Sequence, residues 1–359
     1  MWVFRRHAPG RLRVAPALLL SIASLASIAL AACGGATADA SPPNDPADDA
    51  AESDLSTRGC TPTSKRAHAL VLNVEPTDAS GPWTDVLAHA KTRVRVLIYQ
   101  MGAGPILDGL LAAAHAGLDV RVIMDKSQEP VNQKFKTSLE AAGAKVLWSD
   151  PQFSFMHAKV MIVDDTTAVV STGNYAATQL ATERNYVMTD TDATDVASLG
   201  RLFDADFARV APDLSCTRLL VSPINSRERI VALIGSAKNE LLVESMQLAD
   251  GAVRNAIAER KAKGVNVRVI LADPSWIAAN DDAAKFMTAH GIEGRRMLAP
   301  KVHVKSILVD GKLAYAGSEN LSQTSLDKNR EVGLVVTEAK NVAKMHDTFE
   351  TDWATATAF

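Results

Sequence analysis

A histidine and a lysine two residues apart, followed five residues later by an aspartate, occur twice in this 359-residue chain. The first set is His157, Lys159 and Asp164 in FMHAKVMIVDD; the second is His303, Lys305 and Asp310 in KVHVKSILVDG. Each leads to a matching tail. STGN closes at Asn174 and GSEN closes at Asn320, ten residues after the respective aspartate. A single such spacing arises by chance often enough to be ignored, but two copies with matching tails form a repeat. The residue types suit a phosphate: lysine supplies a point charge, asparagine a directed donor, and histidine a nucleophile or proton carrier. Lysine in place of a second ligand argues against a metal site. Displacing an alcohol from a phosphodiester uses two such histidines, one to attack and one to protonate the leaving oxygen. The expected arrangement is a pseudo-twofold body with His157 and His303 across a shared cleft.

The elements that would position these residues follow from hydrophobic pattern. In a strand, His157 and Lys159 point to one face, and Asp164 ends the strand at a turn. In the first half, RVRVLIYQM reads as a buried strand and PILDGLLAAAHAG as a helix opened by proline and closed by glycine. DVRVIMD, a helix over 131–142, KVLWSD, AVVSTGN and RNYVMTD continue the alternation. The second half repeats the order with ELLVESM, GAVRNAIAERKAKG, VNVRVILAD and a helix over 281–290. VDGKL makes the His303 strand the first arm of an antiparallel hairpin. The fold class is therefore α/β: two related halves, each a mixed sheet flanked by helices, with the site between them.

These residues resemble the phospholipase D superfamily, which carries a double HxKxxxxD signature with a GSxN-like tail. The likeness runs from about Cys60 to Phe359 and extends to AAAHAGLDVRVIMD and AERKAKGVNVRVILAD. It implies a two-step displacement that needs neither metal nor cofactor, through a phosphohistidine. His157 is then the nucleophile and His303 the acid and base, although the reverse assignment uses the same residues. Lys159, Lys305, Asn174 and Asn320, with the hydroxyls of Thr172 and Ser318, bind the phosphate. Asp164 and Asp310 complete the signature and are expected to be structural. The tail STGN departs from GSxN by placing Thr172 where the second copy has Ser318. NRE places Glu331 eleven residues after Asn320, where an acid in relatives orients a catalytic histidine. The first copy has Asn185 there, with Glu183 two residues earlier.

Arg5, Arg6, Arg11 and Arg13 precede an apolar run from Ala15 to Ala32, and LAAC then ends at Cys33. This resembles a bacterial lipoprotein signal with acylation of Cys33; a plain secretory signal and a spanning helix are the alternatives. The expected organisation is a signal over 1–32, a lipidated and acidic tether over 33–59, and halves over 60–212 and 213–359. The protein is thus expected to be exported and membrane-tethered, and to be a monomer. Cys60 and Cys216, at the starts of the two halves, are candidates for a disulfide.

Substrate class is less legible. A net charge of −3 and 5% aromatic residues offer no global basic field and few stacking platforms, which weighs against a nuclease. A tethered enzyme meets phospholipid at high effective concentration, which favours phospholipase D-type hydrolysis. Phosphatidyl transfer shares every catalytic residue. His115 and His290 read as helix-end cations, and Arg260, Lys261 and Lys263 as a solvated helix face. Of the tryptophans, Trp83, Trp148 and Trp353 read as core or cleft wall, and Trp276, after a strand end, is placed near the substrate.

Overall fold

The computed structural model describes residues 60–77 and 80–359. The expected signal, the Cys33 acylation site and the tether lie outside the described residues. Two eight-stranded mixed sheets form the body. The first contains β1 (Val71–Glu75), β2 (Arg93–Ile98), β3 (Asp119–Met124), β4 (Lys145–Trp148), β5 (Lys159–Val163), β6 (Thr167–Ser171) and β7 (Glu183–Asp190), in the order β1-β7-β6-β5-β2-β3-β4. The second contains β8 (Leu220–Ser222), β9 (Glu240–Ser245), β10 (Asn266–Ala272), β11 (Glu293–Met297), β13 (Lys305–Val309), β14 (Leu313–Gly317), β15 (Glu331–Val336) and β16 (Thr357–Ala358). Its order is β16-β11-β10-β9-β13-β14-β15-β8. Remove the edges and the two orders superimpose, β7-β6-β5-β2-β3-β4 on β15-β14-β13-β9-β10-β11. The expected pseudo-twofold α/β body is the one observed.

The remaining strand, β12 (Lys301–Val302), belongs to the second half by sequence yet pairs in parallel with β7 of the first. Its counterpart is the bridge between Met156 and Arg330. Thus the segment ahead of each histidine is stitched to the other half.

Burial follows strand parity. Val160 and Ile162 of β5 enter the core between the sheets, while Met161 and Val163 enter the outer core of the first half. In β13, Leu308 faces the central core and Ile307 and Val309 the outer one. Helices α1 (Gly81–Ala88), α2 (Pro105–His115) and α3 (Glu129–Ala141) cover the outside of the first sheet. After the short α4 (Ala177–Leu180) comes α5 (Ala193–Ala208). Helices α6 (Ser226–Gly235), α7 (Gly251–Ala262) and α8 (Asn280–Ala289) cover the second sheet. After α9 (Gln323–Asp327), α10 (Ala339–Thr355) joins α5 between the sheets through Val342, Met345 and Phe349. The two inner helices cross-link the halves. Asp206 of α5 accepts from Arg330 at 2.9 Å, and Asp352 of α10 accepts a fork from Arg184 at 2.6 and 2.7 Å.

Asp164 and Asp310, the third letters of the two signatures, sit at the far ends of their strands, away from the histidines. Asp164 takes φ 53° in a tight turn with Asp165, and Asp310 takes φ 53° beside Gly311 at 62°. Aspartate and glycine tolerate this left-handed region. The Asp164 carboxylate accepts from the main-chain N–H groups of Lys91, Thr92 and Arg93 at 2.8 to 3.0 Å. Asp310 does the same for Lys238, Asn239 and Glu240. Burial would raise Asp164, but these bonds outweigh it and hold it down at about 2. Each aspartate thus fastens the start of the neighbouring antiparallel strand, β2 or β9, and takes no part in the chemistry at the histidines.

Cys60 and Cys216 form a disulfide, with Cα atoms 4.4 Å apart, that spans 156 positions of sequence. Among the described residues no helix is long and apolar enough to cross a membrane.

Candidate active site

The cleft lies where the ends of β5, β7, β13 and β15 meet, and has a volume of about 630 Å³. His157, His303, Asn174 and Asn320 all line it, so the structure brings both copies of the motif together. His157 stands just ahead of β5, which begins at Lys159, because its N–H donates to the Arg330 carbonyl at 2.8 Å. His303 donates in the same way to the Arg184 carbonyl at 3.2 Å. The main chain at each histidine is therefore fixed by the opposite half.

The side chains are crossed as well. Nδ1 of His157 is 2.8 Å from Glu331 Oε2 and 3.2 Å from the Ser318 carbonyl. Nδ1 of His303 is 2.9 Å from Asn185 Oδ1. Both partners are acceptors, so Nδ1 carries the proton and Nε2 is left for the cleft. Glu331 is itself held by Ser325 Oγ at 2.6 Å and Asn329 Nδ2 at 2.9 Å. Sequence spacing identified Glu331 and Asn185 as orienting positions but could not say which histidine each reached. Each reaches the one in the other half.

Lys159 and Lys305 are fully buried, and each ammonium donates to the carbonyl of its own histidine. The Lys305 ammonium also reaches the Thr172 carbonyl at 3.5 Å, and Lys159 lies 5.3 Å from the Tyr99 ring. Burial is the main cause of every shift among the cations. It pushes Lys305 down to about 8 and Lys159 well below the usual lysine range, against the pull of Glu331 on both. It lowers His157 to about 4, with Lys159 adding to the effect and Glu331 opposing it. His303 is likewise held well below the usual histidine range, by burial first and then by Lys305 and Lys159. Burial would raise Glu331, but His157 and Lys159 outweigh it and keep it ionised. The resting pair is a neutral imidazole on a carboxylate. A phosphodiester anion entering the cleft would raise all four cationic groups, since an opposite charge favours the charged form.

Asn174 and Asn320 line the cleft, and their buried Oδ1 atoms have no hydrogen-bond partner. Thr172 and Ser318 differ from expectation. Thr172 Oγ1 donates to Asn185 Oδ1 at 2.9 Å and accepts from the Tyr186 N–H, and Ser318 Oγ accepts from the Val332 N–H at 3.0 Å. Both are fully buried and turned into the sheet, so they position the orienting residues and do not bind the phosphate. Trp276 lines the cleft with its ring stacked on His303 at 6.2 Å. Trp83 is core, whereas Trp148 and Trp353 are partly buried against it. Tyr99 and Phe155, not singled out by the sequence, pack edge-on at 5.8 Å on the His157 side. The available signal was the place of Tyr99 directly after the β2 strand and of Phe155 two residues before His157. Among the described residues no group of three or more His, Cys, Asp or Glu is arranged to hold a metal ion.

A family model described as "Cardiolipin synthase, PLD-like domain" matches this chain twice, over residues 84–207 and 230–353. The chain belongs to the phospholipase D superfamily. Among curated relatives, polyphosphate kinase 1 of Chlorobaculum tepidum is 26% identical over 56% of this chain and 32% of its own length. The mitochondrial cardiolipin hydrolase of Chlamydomonas reinhardtii is 28% identical over 36% of this chain and 57% of its own. Cardiolipin synthase B of Salmonella typhi is 24% identical over 63% and 65%. The chain thus spans less than two thirds of each of these proteins. Among solved structures, phosphatidylserine synthase of Haemophilus influenzae superimposes with a TM-score of 0.64 at 14% identity, over 82% of this chain and 88% of that one. At that identity the likeness concerns the fold.

Proposed function

We propose that this protein is a metal-independent phosphodiesterase that works through a phosphohistidine, hydrolysing phospholipids to phosphatidic acid and a headgroup alcohol. The observation that carries the reading is the crossed pairing: both imidazoles face one cleft, each held through Nδ1 by an acceptor from the other half. Nε2 of His157 attacks phosphorus and becomes a phosphorylated imidazolium, whose positive charge the Glu331 carboxylate stabilises. His303, protonated at Nε2 once the phosphate anion is bound, donates that proton to the leaving alcohol. Asn185 stabilises the His303 cation less than a carboxylate would, which makes it the stronger acid of the two. Lys159, Lys305, Asn174 and Asn320 bind the phosphate oxygens as charge builds in the transition state. His303 then takes a proton from water, which releases the product from His157.

The lipid substrate is supported by the signal and Cys33 read in the sequence, which would tether the enzyme at a membrane surface as an exported lipoprotein. Phosphatidyl transfer is the second reading, favoured by relatives named as cardiolipin synthases. Mixed phospholipid vesicles with a trace of ethanol, in EDTA, separate the two. The expected result is headgroup release with phosphatidic acid as the main product, lost in His157→Ala and His303→Ala. A predominance of phosphatidylethanol would favour transfer, and cleavage of plasmid DNA with inert vesicles would replace the lipid reading by a nuclease.

A further inference from the structure

The triplet that orients the histidines is written in opposite order in the two halves. It is Glu183-Arg184-Asn185 in the first and Asn329-Arg330-Glu331 in the second. The third residue of each reaches the opposite histidine, so the reversal gives His157 a carboxylate and His303 an amide. The displaced carboxylate is Glu183, and it is used differently from Glu331. Glu331 engages both oxygens, on His157, Ser325 and Asn329. Glu183 Oε2 has no hydrogen-bond partner although the residue is only 7% exposed. It lies 3.7 Å from His303 Nδ1, a nitrogen already committed to Asn185 at 2.9 Å. Glu183 lines the cleft together with His303 and Trp276. A buried acceptor without a partner is unusual, and one on a cleft wall beside the acid–base histidine points to a donor that arrives with the reaction.

We propose that Glu183 selects water as the second nucleophile and so biases this enzyme toward hydrolysis. The proposal rests on the phosphohistidine reading above. Water carries two O–H groups where an alcohol carries one. In the second step the oxygen of water bonds to phosphorus as the bond from phosphorus to His157 Nε2 breaks, and the electron pair of that bond returns to the imidazole. One proton of the water passes to Nε2 of His303. The other O–H stays on the oxygen and is donated to Glu183 Oε2, which aims the attacking lone pair. An alcohol must give its single O–H to His303. It then presents carbon to the carboxylate, and leaves Glu183 unpaired.

The test is a partition ratio, which depends only on steps after the shared intermediate and so does not depend on the fraction of folded enzyme. Bis(para-nitrophenyl) phosphate is the probe, because nitrophenolate leaves without a proton and reports the first step alone. With ethanol present, hydrolysis gives para-nitrophenyl phosphate and transfer gives its ethyl ester. The expected result is that Glu183→Ala moves the product ratio toward the ethyl ester by roughly tenfold or more, the loss of one hydrogen bond to a charged group, and that Glu183→Gln, whose amide oxygen still accepts, moves it the same way by less. The first, His157-dependent release of nitrophenolate should persist in both. An unchanged ratio in both variants, with that release intact, would overturn the proposal alone. Absence of any His157-dependent cleavage by the wild-type protein would overturn the phosphohistidine reading, and the proposal with it.

Discussion

At the residue scale the two histidines are distinguished by what stands behind them. A carboxylate behind His157 favours the cation that forms when its Nε2 is phosphorylated, and an amide behind His303 does not. Glu331→Gln, which keeps the hydrogen bond and removes the charge, should lower kcat by about 100-fold with little change in KM, the signature of an interaction made in the transition state. Equal losses in kcat and KM would contradict that role. The pH profile of kcat/KM reports the free enzyme. Activity requires neutral His157, so it should fall as pH drops toward about 4, where that imidazole protonates. It also requires cationic Lys305, so it should fall as pH rises through about 8. Lys305→Arg should retain the acid limb and change the alkaline one, because a guanidinium does not titrate there and the limb is then set by the lowered Lys159 alone. The histidines, lysines and asparagines were legible in the sequence because their spacing puts them at neighbouring strand ends. Thr172 and Ser318 were not, since a hydroxyl one turn from a phosphate ligand reads the same whether it faces the cleft or the ladder.

At the element scale the site depends on segments exchanged between halves. Arg184 and Arg330 each hold a histidine through the carbonyl and an inner helix through the guanidinium. Arg330, Asp206 and Asp352 are almost fully buried, and Arg184 is partly so. Removing one member of such a pair leaves an uncompensated charge, so Asp206→Ala should cost about 3–5 kcal/mol of unfolding free energy. Chemical denaturation measures this, and a cost below about 1 kcal/mol would mean that Arg330 finds water in its place. The succession of strands and helices was readable because each half repeats one alternation of the two. The crossing of β12 onto β7 was not, since two residues carry no periodicity and the pairing is set by tertiary packing. The aspartates of the signature illustrate the same limit. Their spacing is part of the motif, yet their chemistry is to close a turn far from the phosphate.

For the whole molecule, the cleft exists only while the halves stay together, and the Cys60–Cys216 disulfide restrains the unfolded chain across 156 positions. On the chain-entropy account a loop of this size stabilises by about 5 kcal/mol, and measured values run lower. The double substitution to serine should therefore lower unfolding free energy by about 2–5 kcal/mol and leave kcat unchanged, since neither cysteine lines the cleft. A fall in kcat with unaltered stability would contradict this. Stability should also depend on acid. His157 titrates near 6.5 when unfolded and about 4 when folded, so its contribution is complete above 6.5 and is lost as pH falls toward 4. The central claim, covalent catalysis across the two halves, is tested most directly by quenching the enzyme during turnover, digesting it under alkaline conditions that preserve phosphohistidine, and mapping the adduct by mass spectrometry. The account predicts the phosphoryl adduct on His157, accumulating when His303 is replaced by alanine. An adduct on His303, or turnover with none on either histidine, would contradict it.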